Sequence, residues 1–371
     1  MDRRDAIAWV LSVCAVSLRL SQAKTLSVLV GAALGLERVS LTRIGRSLAG
    51  PGAAKHAIKR CWRFIANDRV EPALAMRGVV ARLLRKGRKP LLVSLDWTDV
   101  RGLQTLMATA VVRGRSVPLC WASCRKHVYA GHRSRNAFEE ALLLVLRDLV
   151  PRDCRVIILA DRGFGRTELG RFCQYQGFEY IFRIQPKVLI QHGSVRTRLD
   201  HYYVWRGICR RLDGVLYRAG HDPLRQHVVV RWPRHLPKRR DECWYLMTSL
   251  AAEQASARQV SDLYARRMGI EQFFRDQKSK RNGWSLRDTG LTDPARLDRL
   301  LLILALAYLL LTGLGLCAAA RFRPGQWGSN HRPGEYSPFQ IGRFTLDQLR
   351  LPIHLLLRAL VANTGRGGKW G

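Results

Sequence analysis

The sequence predicts a mixed α/β fold, and three features of the chain support this prediction. Short β-prone segments and amphipathic helices alternate in the centre of the chain, between residues 91 and 184. The first 70 residues instead show helical patterning throughout. A second β-prone stretch, rich in arginine, lies between the central elements and a later pair of helices. With 371 residues, the chain is long enough for two or three domains and a sizeable core.

The charge of the chain indicates a polyanionic partner. Lys and Arg number 63 against 28 Asp and Glu, which gives a formal net charge of +35. The basic residues recur in four separate regions: Lys55–Arg63, Arg82–Lys89, Arg196–Arg211 and Arg231–Arg240. Such a spread suits a long groove along nucleic acid, and the alternatives are a membrane surface or simply solvated faces. Nine widely spaced cysteines favour a reducing, cytoplasmic compartment and exclude a disulfide framework.

Two apolar stretches imitate membrane signals. Two arginines precede the apolar run Ala6–Leu18, and Ser21–Ala23 resembles the cleavage site of a signal peptide. Leu300–Ala320 carries no charged residue and is long enough to span a bilayer. We favour a protein without membrane segments, because a strongly basic chain follows the first stretch. The second stretch also suits a helix buried inside a large domain.

The N-terminal region is predicted to be helical, and it contains a candidate helix-turn-helix. Thr42–Leu48 and Ala53–Ala66 flank a turn at Gly50-Pro51-Gly52. Three basic residues of the second helix recur every four positions and could face a DNA groove: Lys55, Lys59 and Arg63. The same spacing is also typical of a solvated basic helix.

The central elements are predicted in the order of three strands, helix, strand, helix and strand. In chain order they are Leu91–Leu95, Thr105–Val112, Ser116–Cys120, Asn136–Val150, Arg155–Ala160, Thr167–Tyr175 and Glu179–Ile184. This is the order of a ribonuclease H-like fold, in which the first and fourth strands end side by side. Asp96 and Asp161 follow these two strands, so we expect them to be neighbours. An Asp in this position can also be a turn or cap residue, and Asp99 competes with Asp96.

The segment Tyr264–Lys278 is predicted to be a single helix. At about 100° per residue, four polar residues share one narrow stripe: Tyr264, Arg267, Glu271 and Lys278. Asp276 points roughly 140° away from Glu271, and apolar residues beside the stripe can dock on a core. A lone carboxylate among cationic groups suits a metal ligand next to a row of phosphate contacts. An exposed helix with Glu–Lys and Glu–Arg pairs is the alternative.

The spacing of these four residues, Y-x2-R-x3-E-x6-K, resembles the signature helix of DDE transposases of the insertion sequence four family. In that family the Glu is the third metal-binding carboxylate, after two Asp residues at strand ends. The resemblance therefore implies that Asp96, Asp161 and Glu271 form a catalytic site for Mg²⁺, for which Mn²⁺ would substitute. It also implies that Tyr264, Arg267 and Lys278 bind DNA near the scissile phosphodiester.

The resemblance covers about residues 40–320 and implies a domain order. A helical DNA-binding domain, residues 1–80, would precede a ribonuclease H-like core in two parts, residues 88–185 and 244–320. A β-strand insertion domain, residues 186–243, would separate the two parts, and residues 321–371 would form a C-terminal loop and helix. Trp244 matches a tryptophan that stacks on a flipped base in relatives, although an ordinary core or edge tryptophan is the alternative.

The function that the resemblance implies is cut-and-paste transposition of an insertion sequence. The substrates would be double-stranded DNA, at terminal inverted repeats and at the target, with a hairpin intermediate. A homodimer in a synaptic complex, within a prokaryotic cytoplasm and associated with the nucleoid, would carry out the reaction. Two other classes stay open at this point: a DNA-binding regulator that has lost catalysis, and a basic membrane protein.

Overall fold

The computed structural model describes residues 1–49, 54–84, 90–112, 114–126, 128–129, 131, 133–234, 242–281, 283–326 and 336–363. The chain folds into two compact units. The first unit consists of Met1–Arg88, Trp97–Arg152 and Gly269–Gly371, and the second of Lys89–Asp96 and Asp153–Met268. The predicted turn at Gly50-Pro51-Gly52 lies outside the described residues.

Helices dominate the first unit and strands dominate the second. The helices are α1 (Arg3–Cys14), α2 (Leu20–Leu34), α3 (Leu41–Leu48), α4 (Ala54–Ala66), α5 (Pro72–Leu84), α6 (Arg135–Leu149), α7 (Thr167–Tyr175), α8 (Ala257–Ala265), α9 (Met268–Lys278), α10 (Pro294–Arg321), α11 (Pro338–Thr345) and α12 (Ile353–Asn363). The strands are β1 (Leu91–Val100), β2 (Leu103–Val112), β3 (Arg115–Arg125), β4 (Val156–Ala160), β5 (Glu179–Arg183), β6 (Leu189–His192), β7 (Val195–Arg198), β8 (Cys209–Tyr217), β9 (Leu224–Arg231) and β10 (Trp244–Thr248).

The N-terminal helices form where the sequence predicts them. The carboxylate of Asp2 caps α1 by accepting a hydrogen bond from the Asp5 amide, and the carboxylate of Asp5 accepts one from the Asp2 amide. The hydroxyl of Ser40 caps α3 by accepting a hydrogen bond from the amide of Arg43. The apolar residues of α1 are buried against α2. The run that resembles a signal peptide is therefore a core helix of the first unit in this structure.

The core of the first unit is built around α10. Asp293 caps this helix by accepting a hydrogen bond from the amide of Arg296, and Pro294 occupies its first turn, where a proline costs no hydrogen bond. Every residue from Leu300 to Ala318 is buried, and α10 packs against α2, α4, α5, α11, α12 and β3. Within the described residues, it is the one helix long and apolar enough to cross a membrane. Its surface is instead covered by protein, as the buried-helix interpretation predicts.

Two local predictions differ from the structure. The predicted strand Leu91–Leu95 does not end at Asp96 but continues as β1 to Val100. There Arg101 and Gly102, both with positive φ, turn the chain into β2, and glycine adopts this conformation without a steric penalty. Strand β2 then pairs antiparallel with β3. The second difference is α11, which packs on α10 in a region where the sequence predicted one C-terminal helix, not two.

The second unit contains a mixed sheet. The first half of β1 pairs parallel with β4, and β4 pairs parallel with β5. Strand β10 is antiparallel to β5 and to β9, and β8, β6 and β7 follow in that order. Helix α7 contacts β5 and β9, and α8 contacts β5, β8 and β9. The large sheet and its flanking helices make the chain a mixed α/β protein, which is consistent with the expected ribonuclease H-like core.

The strands of the predicted insertion continue this sheet. Strand β9 pairs with β10 over five residue pairs, from Trp244↔Arg231 to Thr248↔His227. Strands β6–β9 therefore extend the sheet beyond β10, and their register is fixed by this ladder.

Candidate active site

Asp96 and Asp161 occupy equivalent positions on neighbouring parallel strands. The ladder between β1 and β4 ends with the pair Leu95↔Ala160, and the two aspartates are the next residue of each strand. The carboxyl ends of parallel strands are where open α/β sheets place their ligands. Both side chains are partly exposed. The second unit thus presents two adjacent acidic residues at one edge of its sheet.

Asp96 forms an ion pair with Arg267. The Nη1 atom of Arg267 donates a hydrogen bond to Oδ2 of Asp96 at 3.1 Å, and the two side chains are 10% and 17% exposed. Arg267 lies in the turn between α8 and α9. A nearly buried guanidinium offsets part of the repulsion between carboxylates at the same edge. In this structure Arg267 contacts the predicted catalytic acid, and its contact with DNA stays a prediction.

Asp161 is held in place by the turn that follows β4. Its Oδ1 atom accepts a hydrogen bond from the amide of Gly163 at 2.9 Å and so caps the short helical turn Arg162–Phe164. The chain passes close to the next strand at Gly165, where a Cβ atom would lie 2.6 Å from the carbonyl oxygen of Arg183. A side chain at position 165 would collide with β5, so glycine is what lets the backbone pass this close to the strand.

Two arginines that the sequence analysis missed lie next to Asp161. The ladder between β4 and β5 pairs Ala160 with Phe182, so the following residues, Asp161 and Arg183, are neighbours. Glu242 bridges Arg183 and Arg162, with its oxygens 2.6 Å from Nη2 of Arg183 and 3.0 Å from Nη2 of Arg162. Burial alone would raise the pKa of Glu242, but the two guanidinium groups hold it below its usual value. Comparing the last residues of the predicted parallel strands could have identified Arg183.

The predicted signature helix is interrupted. Helix α8 ends at Ala265 and α9 begins at Met268, with Arg266 and Arg267 in a turn between them. The prediction of one continuous helix is therefore wrong, and angles counted along a single helix do not relate residues across the break. A physical reason lies at Gly269, where a Cβ atom would be 2.8 Å from the carbonyl oxygen of Arg115. The start of α9 is pressed against the β3 backbone, which sets its direction.

Tyr264 is buried, although the predicted stripe placed it on an outward-facing surface. Only 5% of it is exposed, and burial raises the pKa of its phenol, an effect that Arg267 opposes. Its ring meets the ring of Trp244 edge-on at 5.4 Å between centroids. Trp244 is the first residue of β10 and is half-buried. Tyr264 thus supports the position of Trp244 through an aromatic contact.

Glu271 and Lys278 lie on α9 in the first unit. Glu271 is in the first turn of the helix and is partly exposed, as is Lys278 in the last turn. The Nζ atom of Lys278 lies 5.6 Å from the centroid of the Phe274 ring, a cation–π distance. Each residue therefore has a side chain that solvent reaches.

Asp276, also on α9, is part of a buried polar cluster. Its Oδ2 atom accepts hydrogen bonds from Nε of Arg115 at 3.0 Å and from the Tyr308 hydroxyl at 2.9 Å. Only 4% of Asp276 is exposed. The direction predicted for Asp276, away from the surface stripe, agrees with this burial. The cluster joins α9 to β3 and α10, so Asp276 anchors the helix that carries Glu271.

The basic residues predicted on the second N-terminal helix share its outer surface. Lys55, Lys59 and Arg63 are all exposed on α4. None of the three forms an ion pair with an acid in the part of the chain that the structure describes. Their positive charge therefore faces solvent.

The side chains available to a metal ion are oxygen donors. Across the described ranges, no group of three or more His, Cys, Asp or Glu residues is placed so that it could hold a metal ion. Asp96 and Asp161 belong to the second unit and Glu271 to the first. The two aspartates at neighbouring strand ends offer the hard carboxylate oxygens that Mg²⁺ and Mn²⁺ prefer.

A strongly basic chain with paired aspartates at the carboxyl edge of a sheet has the construction of an enzyme that cuts and joins DNA. Comparison with protein families identifies which one: the model of the transposase DDE domain matches residues 87–310, more than half of the chain. The chain belongs to this family. It is a DDE transposase, an enzyme of DNA transposition and recombination. No curated protein matches the chain.

Proposed function

We propose that this DDE transposase belongs to the insertion sequence four family and moves its element by cut and paste. It would cleave double-stranded DNA at the terminal inverted repeats and join the freed ends to target DNA. The observation that carries this proposal is the register of β1 and β4, which ends with the pair Leu95↔Ala160, one residue before Asp96 and Asp161. The sequence spacing of Tyr264, Arg267, Glu271 and Lys278, which matches the signature of that family, supports the proposal.

In the proposed site, Asp96, Asp161 and Glu271 would hold divalent metal, Mg²⁺ with Mn²⁺ as a substitute. Metal bound there would activate the attacking water or 3′-hydroxyl and stabilise the leaving oxygen of the phosphodiester. The nucleophile's oxygen forms a bond to phosphorus while the P–O3′ bond breaks, and the departing 3′-oxygen takes a proton. The resulting 3′-hydroxyl would then attack the opposite strand to form the hairpin, water would open the hairpin and free the 3′-hydroxyl again, and that hydroxyl would attack the target strand.

The neighbouring basic residues have different roles in this proposal. Arg267 positions Asp96 through their ion pair, and Lys278 binds a phosphate of the DNA backbone. The buried phenol of Tyr264 supports Trp244 from one side. The half-buried ring of Trp244 stacks on an extruded base during hairpin formation, since an aromatic plane offsets much of the cost of base flipping.

The assembly in this proposal is a homodimer that holds two element ends in one synaptic complex. Its place would be the prokaryotic cytoplasm, in association with the nucleoid. The net charge of +35 favours such an association, because release of counterions drives the binding of basic proteins to DNA.

The test of the proposed site is Mg²⁺-dependent cleavage of a duplex that carries one end of the element. Asp96→Asn, Asp161→Asn and Glu271→Gln each keep the size of the side chain and remove a charged oxygen ligand. Because the three acids would act as one unit, each single change should abolish nearly all cleavage, and a second change should add little. Gel-shift affinity should be retained, since most phosphate contacts lie elsewhere.

The matched control is Asp99→Asn. Asp99 is exposed on β1 and competes with Asp96 as the predicted ligand. The Asp99→Asn variant should cleave DNA at the rate of the unmodified protein. Cleavage by Glu271→Gln at a near-normal rate would contradict the assignment of the third acid. Asp276→Asn is unsuitable as a control, because Asp276 is buried in the anchoring cluster.

A further inference from the structure

A cleft between α2 and α4 in the first unit has the composition of an anion-binding site. Its volume is about 440 Å³. The side chains around it come from one surface of each helix and from the residue just after α4: Ser21, Gln22, Thr25, His56, Arg60, Arg63, Phe64 and Asn67. Two arginines and a histidine line it, and no acid is among these residues. The cleft therefore concentrates positive charge that has no counter-charge in its own walls.

Some of the lining groups are fixed by hydrogen bonds. The Nη2 atom of Arg60 donates to Oγ1 of Thr25 at 3.3 Å, and Thr25 in turn donates to the carbonyl oxygen of Ser21 at 2.9 Å. Nε2 of Gln22 donates to the carbonyl oxygen of Arg69 at 3.3 Å. Phe64, only 4% exposed, provides an apolar wall. The Arg60–Thr25 bond links α4 to α2 and orients one guanidinium group within the cleft, and the Gln22–Arg69 bond links α2 to the segment after α4.

Other lining groups have donors to spare. In the described part of the chain, Arg63 and His56 make no hydrogen bond or ion pair with another residue. A guanidinium group carries five N–H donors in a fixed geometry that matches phosphate oxygens. A cleft with one anchored and one unpaired arginine is therefore complementary to a phosphate group with room for its sugar.

We propose that the α2–α4 cleft binds backbone phosphates of duplex DNA, with Arg60 and Arg63 as the principal contacts. This inference rests on the proposed function, and it deepens the DNA-binding role that the sequence predicts for α4. It adds a site to the outer row of Lys55 and Lys59, because Arg60 lies roughly 100° around the helix from Lys59. Phosphate contacts carry no sequence information, so the cleft fixes the position of the first unit on DNA and does not select a base sequence.

The test uses the full-length protein and a random-sequence DNA duplex, with affinity measured by fluorescence anisotropy over a series of salt concentrations. The Arg60→Gln/Arg63→Gln double variant removes both guanidinium groups. If each contacts one phosphate, the slope of log K against log[salt] should become shallower by about 1.8. The matched control is Arg77→Gln/Arg82→Gln, which removes the same charge from exposed positions on α5. Its slope should stay close to that of the unmodified protein.

A third variant separates the shape of the cleft from its charge. Ser21→Trp fills the cleft from exposed α2 and leaves the net charge unchanged, so it should weaken DNA binding if phosphates enter. Equal changes of slope in the two arginine pairs, or unchanged binding by Ser21→Trp with a normal thermal melting curve, would overturn the proposal. Failure of the proposed catalytic site would look different, because Asp161→Asn would then cleave DNA while the cleft variants still showed the reduced slope.

Discussion

Removing the carboxylate of Asp276 should destabilise the first unit and displace the helix that carries Glu271. Asp276 is 4% exposed, and the Arg115 side chain opposite it is 15% exposed. The Asp276→Ala variant would leave a nearly buried guanidinium without its partner and the Tyr308 hydroxyl without an acceptor. Breaking a buried ion pair from one side costs about 3–5 kcal/mol. We expect the free energy of unfolding to fall by that amount.

Further variants separate the contributions within this cluster. Asp276→Asn keeps an oxygen that can accept from Tyr308 and should cost less than Asp276→Ala. Tyr308→Phe removes one hydrogen bond and should cost about 1 kcal/mol. Replacing both charged partners by apolar residues, Arg115→Met with Asp276→Leu, should recover much of the loss, because no buried charge is then left unpaired.

The assay is urea-induced unfolding monitored by circular dichroism. The variants are compared with one common slope of the unfolding free energy against urea concentration. Asp148→Ala is the matched control, because Asp148 is exposed on α6 and its loss should stay within about 0.5 kcal/mol. DNA cleavage measured in parallel should fall in Asp276→Ala and stay normal in Asp148→Ala. If Asp276→Ala unfolds at the same urea concentration as the control, the buried ion pair does not anchor α9.

Other measurements test separate parts of the molecule. Burial raises the pKa of Asp298 to about 7, so the folded state keeps this proton while the unfolded state loses it, and stability should fall as pH rises from about 4 to 7. Asp298→Asn should remove that fall, which is worth a few kcal/mol at about 1.4 kcal/mol per pKa unit. Hydrogen bonds from Arg171 and, to a smaller extent, Thr167 lower the pKa of Asp222 to about 2. The ionised carboxylate therefore contributes to stability fully above pH 4, and this contribution disappears as pH falls through 2. Asp222→Asn should abolish this pH-dependent contribution in acid titrations followed by circular dichroism. Trp244→Ala should leave first-strand nicking intact and impair hairpin formation, and equal loss at both steps in a folded protein would favour a packing role. Raising salt from about 50 to about 200 mM should weaken non-specific DNA binding by orders of magnitude, and a salt-independent affinity would contradict a phosphate-driven mode.

Much of the local structure could be predicted because it depends on local patterns. Buried strands such as Val156–Ala160 are continuous apolar runs, and α7 has the bounds that its periodicity predicts. The adjacency of Asp96 and Asp161 followed from the order of the elements alone. The burial of nearly all of the apolar run, Leu300–Ala318, was also foreseeable, since such a run suits a helix at the centre of a large domain.

The remaining features depend on contacts between segments that are distant in sequence. The break between α8 and α9 occurs where Gly269 meets the backbone of β3, and helix propensity contains no information about that contact. The same holds for Asp276, whose partners Arg115 and Tyr308 come from other elements. Glu242 and Arg183 also meet only through tertiary structure. The carboxylate of Glu242 bridges Arg183 and Arg162 beside the predicted catalytic residue Asp161.

The division of the first unit into three sequence segments affects how the protein can be made. Helix α2 ends at Leu34, yet α10, against which it packs, begins only at Pro294. At about 5–20 residues per second, a ribosome needs on the order of 15–60 s to synthesise the intervening chain. During that time α2 can pack against α1, α3 and α4, but the part of its surface that contacts α10 lacks this partner. The first unit can therefore complete its core only after α10 has been synthesised, and a transcript truncated before α10 should yield a protein that aggregates.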